Sequence, residues 1–220
     1  MTQLILVSSI GQKKGQTLFA AHLATILAET KKTALIDFEP QNKVLQNFTE
    51  RRKHISHENK LHLTTAHLQN NFSKETMQGF DFVVADAKDA SLLEHADILV
   101  VLVSDDGVCE LLKKDSAFLS AVWEAKKKRA ARGLNAFHFF VLPNGDFSAQ
   151  NKEQLKKDAP IIGCQITPAL KDNSAYAKGL NDGITVLDKN LPFFEKTFNQ
   201  DDFFARRNLK QIVQFILPNK

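Results

Sequence analysis

The chain has 220 residues, 43% of them hydrophobic, enough for one sizeable core and a single domain over residues 1–220. Two cysteines, Cys109 and Cys164, exclude a disulfide framework and suit a reducing cytoplasm, and no apolar stretch is long enough to span a bilayer. The formal net charge of +4 is a mild bias toward polyanions and no more.

The chain opens on a short apolar run, Leu4-Ile5-Leu6-Val7, too short and too lightly charged for a signal peptide and suited to a buried strand. A polar loop from Ser8 to Thr17 follows, then an Ala/Leu-rich segment from Leu18 to Glu29 with helical character. A second apolar run, Thr33 to Ile36, ends in Asp37-Phe38-Glu39-Pro40-Gln41. This is one βαβ unit, with a right-handed crossover expected. Its first loop falls at the carboxyl edge of a sheet, where a helix N-terminus offers free N–H groups to an anion.

Further apolar runs recur between charged or helical stretches. They lie at His62-Leu63, Phe82 to Ala85, Ile98 to Val103, Phe137 to Leu142, Ile161-Ile162 leading to Gln165-Ile166, and Ile184 to Val186. Continuous apolar strands alternating with helices predict an α/β fold. The expected core is a mostly parallel, twisted sheet of about seven to eight strands with helices on both faces. The segment Asn47 to Asn59 is charged and reads as a solvated helix and loop. His54, His57, His62 and His67 lie close in sequence, but no cysteine or tightly spaced carboxylate joins them into a metal site. Asp86, just past an apolar strand, either holds Mg²⁺ through water or caps the next helix. Asn144-Gly145 after the Phe137 strand is also an ordinary turn signal. From Ala121 the chain reads Ala-Val-Trp-Glu-Ala-Lys-Lys-Lys-Arg-Ala-Ala-Arg, so Lys126, Lys127, Lys128, Arg129 and Arg132 spread over a wide helical face, with Lys113 and Lys114 nearby. That face is either solvated or a contact for the DNA backbone. Asp201 to Ile216 has Phe204, Leu209, Ile212, Val213 and Ile216 at helical spacing. Its mixed polar face and Pro218 favour a packed terminal helix over a membrane-lying one.

Gly11 to Thr17 resembles the phosphate loop of ParA/MinD-type P-loop ATPases, KGGxGK[ST], aligned without gaps. Gly15 keeps the last glycine and Thr17 the hydroxyl that ligands Mg²⁺. Gln16 replaces the lysine that contacts the β- and γ-phosphates. Gly11 replaces the signature lysine that reaches across a nucleotide-sandwich dimer, and Gln12 and Lys13 replace two glycines. Asp37 to Gln41 resembles the family's D-x-D-P-Q switch, with Glu39 in place of the second aspartate; Phe80 to Ala87 resembles its Walker B and switch II, and Asn144 its adenine-reading asparagine. More narrowly, the Val122-Trp123-Glu124 segment, Asn47 to Arg52, Leu170-Lys171-Asp172, Gly183 to Asp188 and Phe204 to Leu209 resemble the MipZ branch, over nearly the whole chain. The resemblance implies a nucleotide site at Lys13, Lys14, Gly15, Gln16, Thr17 and Asn144, and Mg²⁺ at Thr17, Asp37 and Asp86. It also implies ATP-linked homodimerisation, non-specific DNA binding, and FtsZ and ParB-like partners.

The altered loop bears on catalysis directly. A unit charge ~4 Å from a phosphate oxygen contributes ~4 kcal/mol at an effective dielectric of ~20, whereas a neutral glutamine hydrogen bond nets ~1 kcal/mol. The difference is roughly a hundredfold or more in affinity, and weighs further on a phosphoryl-transfer transition state. Lys13 or Lys14 would compensate only through a rebuilt loop. Three readings follow: a MipZ-like regulator with a decayed nucleotide site, a slow ATPase using Lys13 or Lys14, and an architectural DNA-binding protein.

Overall fold

The computed structural model describes residues 2–11, 15–38, 43–58, 67–69, 77–87, 90–171, 174–188 and 200–218. Seven strands form one parallel sheet: β1 (Gln3–Ile10), β2 (Thr33–Asp37), β3 (His67–Gln69), β4 (Phe82–Asp86), β5 (Ile98–Val103), β6 (His138–Pro143) and β7 (Gln165–Ile166). Their order across the sheet is β3-β2-β4-β1-β5-β6-β7. The first strand therefore sits in the middle. Chain order reverses direction between β1 and β5, the kind of switch point where open α/β sheets form a ligand crevice at the carboxyl edge.

Strand side chains alternate between two cores, as the two-residue period requires. Ile5, Val7, Val100, Leu102, Phe140 and Leu142 face one side, where α1 (Gln16–Ala28), α2 (Val44–Glu58), α6 (Ser174–Asn181) and α7 (Gln200–Ile216) pack. Leu4, Leu6, Leu99, Val101, Phe139 and Val141 face the other. That face is covered by a 3-10 turn (Ala90–Glu94), α3 (Gly107–Leu111), α4 (Ala117–Ala131) and α5 (Ala149–Ile162). The central strands are buried throughout, which is why they read as unbroken apolar runs.

The seven strands agree with the sequence expectation, with local corrections. Ile161-Ile162 end α5 rather than lead a strand, because Gly163 closes that helix in the left-handed region (φ 68°). Ile184-Thr185-Val186 form a turn: the Ile184 amide bonds back to Gly179 O at 2.8 Å and the Thr185 amide to Asp188 Oδ2 at 2.6 Å, so neither joins a ladder. His62-Leu63 lie outside the described residues; the edge strand beside β2 is His67–Gln69. Residues 47–59 are not simply solvated, since Arg52 on α2 is fully buried. It makes a two-pronged ion pair with Asp188, Nη1–Oδ2 2.6 Å and Nη2–Oδ1 2.8 Å, and also donates to Gly183 O. The pair fixes the 183–188 turn against α2. The C-terminal segment is the packed helix expected: Ala205, Leu209, Ile212, Val213 and Ile216 of α7 are buried in the core. Among the described residues, no helix is long and apolar enough to cross a membrane.

Candidate functional site

The site is built where β1 gives way to α1. Gly15 caps α1 with φ 99°, a conformation glycine adopts without strain, and its carbonyl accepts the first helical bond, from Phe19 N at 2.7 Å. Gln16, the next residue, is buried at the helix entrance. Its Nε2 donates to Asp86 Oδ1 at 2.6 Å and lies 3.3 Å from Val7 O, while Ser9 Oγ donates to its Oε1 at 2.6 Å. One amide thus links β1 to β4 and engages an Asp86 oxygen from inside the protein.

Asp37 and Asp86 end adjacent strands as register partners, and Val7 of β1 pairs with Asp86 on the other side. Both carboxylates are buried. Thr17 follows in the first turn of α1, half-buried. Asn144 lies at the end of β6, held by its amide to Val103 O at 2.8 Å, and its side chain lies beside Gly15: a Cβ built there would sit 3.5 Å from Asn144 Nδ2. Folding therefore brings Gly15, Gln16, Thr17, Asp37, Asp86 and Asn144 to one sheet edge. Lys13, Lys14 and Glu39 lie outside the described residues.

Gly11 leaves β1 with φ 84° and packs against the turn that follows β5. A Cβ on Gly11 would clash with Ser104 Oγ and come 2.9 Å from Gly107 Cα; one on Gly107 would come 2.6 Å from Ile10 O. The two glycines permit a close backbone approach between the end of β1 and the turn after β5. Asp105 in the same turn accepts bonds from the Ser148 amide (3.0 Å), Ser148 Oγ (3.2 Å) and Asn151 Nδ2 (2.9 Å), tying it to the start of α5. Those bonds, led by Asn151, hold the Asp105 carboxyl below its usual range. The sequence reading assigned no role to Ser9, Ser104 or Gly107. The available signal was Ser-Asp-Asp-Gly directly after an apolar strand.

The basic helix α4 is more internally engaged than its sequence suggests. Arg129 is buried: Nε donates to Asn135 O at 2.8 Å, Nη1 to Glu94 O at 3.2 Å, and Nη2 lies 3.5 Å from Asp97. It clamps the 3-10 turn and the end of α4, and is removed from any exposed DNA-facing surface. Arg132 Nη2 lies 3.2 Å from Glu94 Oε2, an ion pair without hydrogen-bond geometry, and Lys127 pairs with Glu124 at 2.7 Å. Lys128 is 4.0 Å from Glu94. Lys126 rests over the Phe137 and Phe139 rings, 5.6 and 5.8 Å from their centroids, and burial lowers its pKa.

A β1-centred parallel sheet, a glycine-capped helix at its carboxyl edge and paired strand-end carboxylates define a P-loop NTPase fold of the ParA/MinD kind. The family model for the ATPase MipZ matches residues 4–218, so the chain belongs to the MipZ family. No individually curated protein matches it. Among solved structures it is similar to apo McdA from Cyanothece, with 18% identity, TM-score 0.61, and 95% of this chain and 100% of that one covered. A ParA family ATPase from Chlorobium tepidum matches with 15% identity, TM-score 0.55 and 98% of each chain. MinD from Aquifex aeolicus matches with 14% identity, TM-score 0.52, and 94% and 97% covered. At these identities the likeness is one of fold.

Proposed function

We propose that this chain is a MipZ-type spatial regulator of cell division, coordinated with chromosome partitioning, whose nucleotide site has lost turnover. The observation that carries the reading is Gln16. In the position that faces phosphate in this family stands a neutral amide, turned onto Asp86 and Ser9. The donor set at Thr17, Asp37 and Asp86 suits a hard cation such as Mg²⁺, which prefers oxygen ligands. The phosphate side suits ATP poorly, because position 16 carries no cation and Gly11 is closed against Gly107. The Gln16 amide is instead bonded to Ser9 Oγ and Asp86 Oδ1, and this supports a pseudo-ATPase.

Regulation then runs through binding. The partners are FtsZ and ParB-like proteins, a second copy of the chain, and DNA without sequence preference. Lys127, Lys128 and Arg132 supply the exposed charge on α4, with Lys126 half-buried beside them. With Arg129 engaged internally, few phosphates are neutralised, so a salt slope of only about −3 to −4 is expected for a monomer on duplex DNA. The test combines titration calorimetry with Mg²⁺ and ATP, phosphate release, and FtsZ assembly followed by light scattering. Weak or absent nucleotide binding, no turnover and an altered FtsZ assembly are expected. Micromolar binding with steady turnover rejects the decayed site; unaltered assembly rejects the division role.

A further inference from the structure

A second crevice opens at the same sheet edge, around the ends of β6 and β7, and encloses about 310 Å³. That volume lies at the small end of the range for small-molecule pockets, roughly 300–1,000 Å³. Its floor is apolar: Phe147 and Leu155 are buried, with Ile166 beside them. Its rim carries Lys152 and Lys156, one turn apart on α5, and Lys171 from the segment after β7, against one lining carboxylate among the described residues, Asp146, while Asp105 outside the lining also interacts with Lys152. Lys156 also lies 3.1 Å from Glu153, which is exposed and outside the lining. The walls are pinned together: Gly145 N donates to Leu170 O at 2.8 Å, Leu170 N to Pro143 O at 2.7 Å and Thr167 N to Val141 O at 2.9 Å. The crevice therefore exists before any ligand arrives, and its ordering entropy is already met.

We infer that this crevice binds a small organic anion, one with an apolar or aromatic body and one or two acidic groups. The body would lie on Phe147 and Leu155 and the acid would meet the lysine rim. Burial of an apolar body supplies affinity, and three lysines contributed by two elements against one lining carboxylate favour negative charge. The lining of the crevice differs from the described residues at the β1–α1 edge. Ser9, Gly15, Gln16, Asp37 and Asp86 are absent from its lining, and the Asn144 side chain lies toward Gly15.

The probe is 8-anilinonaphthalene-1-sulfonate, an aromatic anion of suitable size, titrated into the full chain and followed by fluorescence. Its neutral relative N-phenyl-1-naphthylamine is the control. Saturable sulfonate binding is expected, with markedly weaker binding of the neutral dye. The pair Lys152→Glu and Lys171→Glu should weaken it at least about tenfold, since two attractions become repulsions. Lys152→Gln with Lys171→Gln should give a smaller loss, and covers the case in which reversal disturbs folding. Lys31→Glu with Lys53→Glu changes the net charge equally and should leave binding unchanged. The inference is overturned by absence of saturable binding, by equal binding of the neutral dye, by indifference to the Lys152 and Lys171 changes in a folded variant, or by competitive displacement with Mg²⁺ and ATP. Displacement by ATP would merge the crevice with the nucleotide site and leave the decayed-site reading to be judged by its own calorimetry.

Discussion

Gln16→Lys puts a charge where the proposed decayed-site reading finds one missing. The two side chains are of similar length, and position 16 already points at Asp86, whose Oδ1 lies 2.6 Å from the present amide nitrogen. An ammonium there gains the Asp86 carboxylate as counter-ion in the free protein, so the variant should stay folded. Against a bound phosphate oxygen at ~4 Å, the charge contributes ~4 kcal/mol at an effective dielectric of ~20, replacing an amide bond that nets ~1 kcal/mol. The gain of ~3 kcal/mol corresponds to about a hundredfold in affinity. Mg²⁺ and a fluorescent ATP analogue, titrated into both proteins, measure it directly, with thermal unfolding as the check on integrity. Hydrolysis should stay low in the variant, because Gly11 still carries no cation. A folded Gln16→Lys protein that binds the analogue no better than the parent would refute the argument that missing charge at this position disables the site.

Gly11→Ala should destabilise the protein by more than Gly145→Ala does: both glycines have φ 84°, but a Cβ meets Gly107 backbone at the first and nothing within 4 Å at the second. The φ strain alone costs of order 1 kcal/mol, so a larger Gly11 penalty in urea unfolding reports the close contact, and equal penalties would deny it. Burial lowers the His22 pKa from 6.5 to about 4, partly offset by its bond to the Leu18 carbonyl. The unfolded chain then binds the proton more readily, so the His22 contribution is complete above pH 6.5 and is lost as pH falls toward 4. Wild type should lose about 2 kcal/mol more than His22→Leu between pH 7 and pH 5, and parallel pH profiles of the two would contradict this. Arg52→Met should cost about 3–5 kcal/mol by leaving Asp188 buried without its partner, and adding Asp188→Leu should recover much of it. Denaturant midpoints of the single and double variants decide; no recovery in the double would mean that the ion pair is not the source of the loss.

The sequence alone determined the layered α/β fold and its parallel sheet, because buried central strands leave unbroken apolar runs and helices leave polar spacers between them. It also carried the resemblance of Gly11 to Thr17 to a phosphate loop and the absence of lysine at positions 11 and 16, since residue identity and spacing need no coordinates. It could not place Gln16 on Asp86, because those residues are 70 apart in the chain and meet only when β1 and β4 pair. Nor could it separate Arg129 from its exposed neighbours, or Arg52 from a solvated helix face: a run of basic residues looks alike whether a guanidinium meets water or a carbonyl. Short apolar triplets such as Ile184 to Val186 read as strands because local pattern carries no information about available ladder partners. Which cations are buried, which glycines touch, and which groups the Gln16 amide meets were decided by tertiary packing, where contacts join segments distant in sequence.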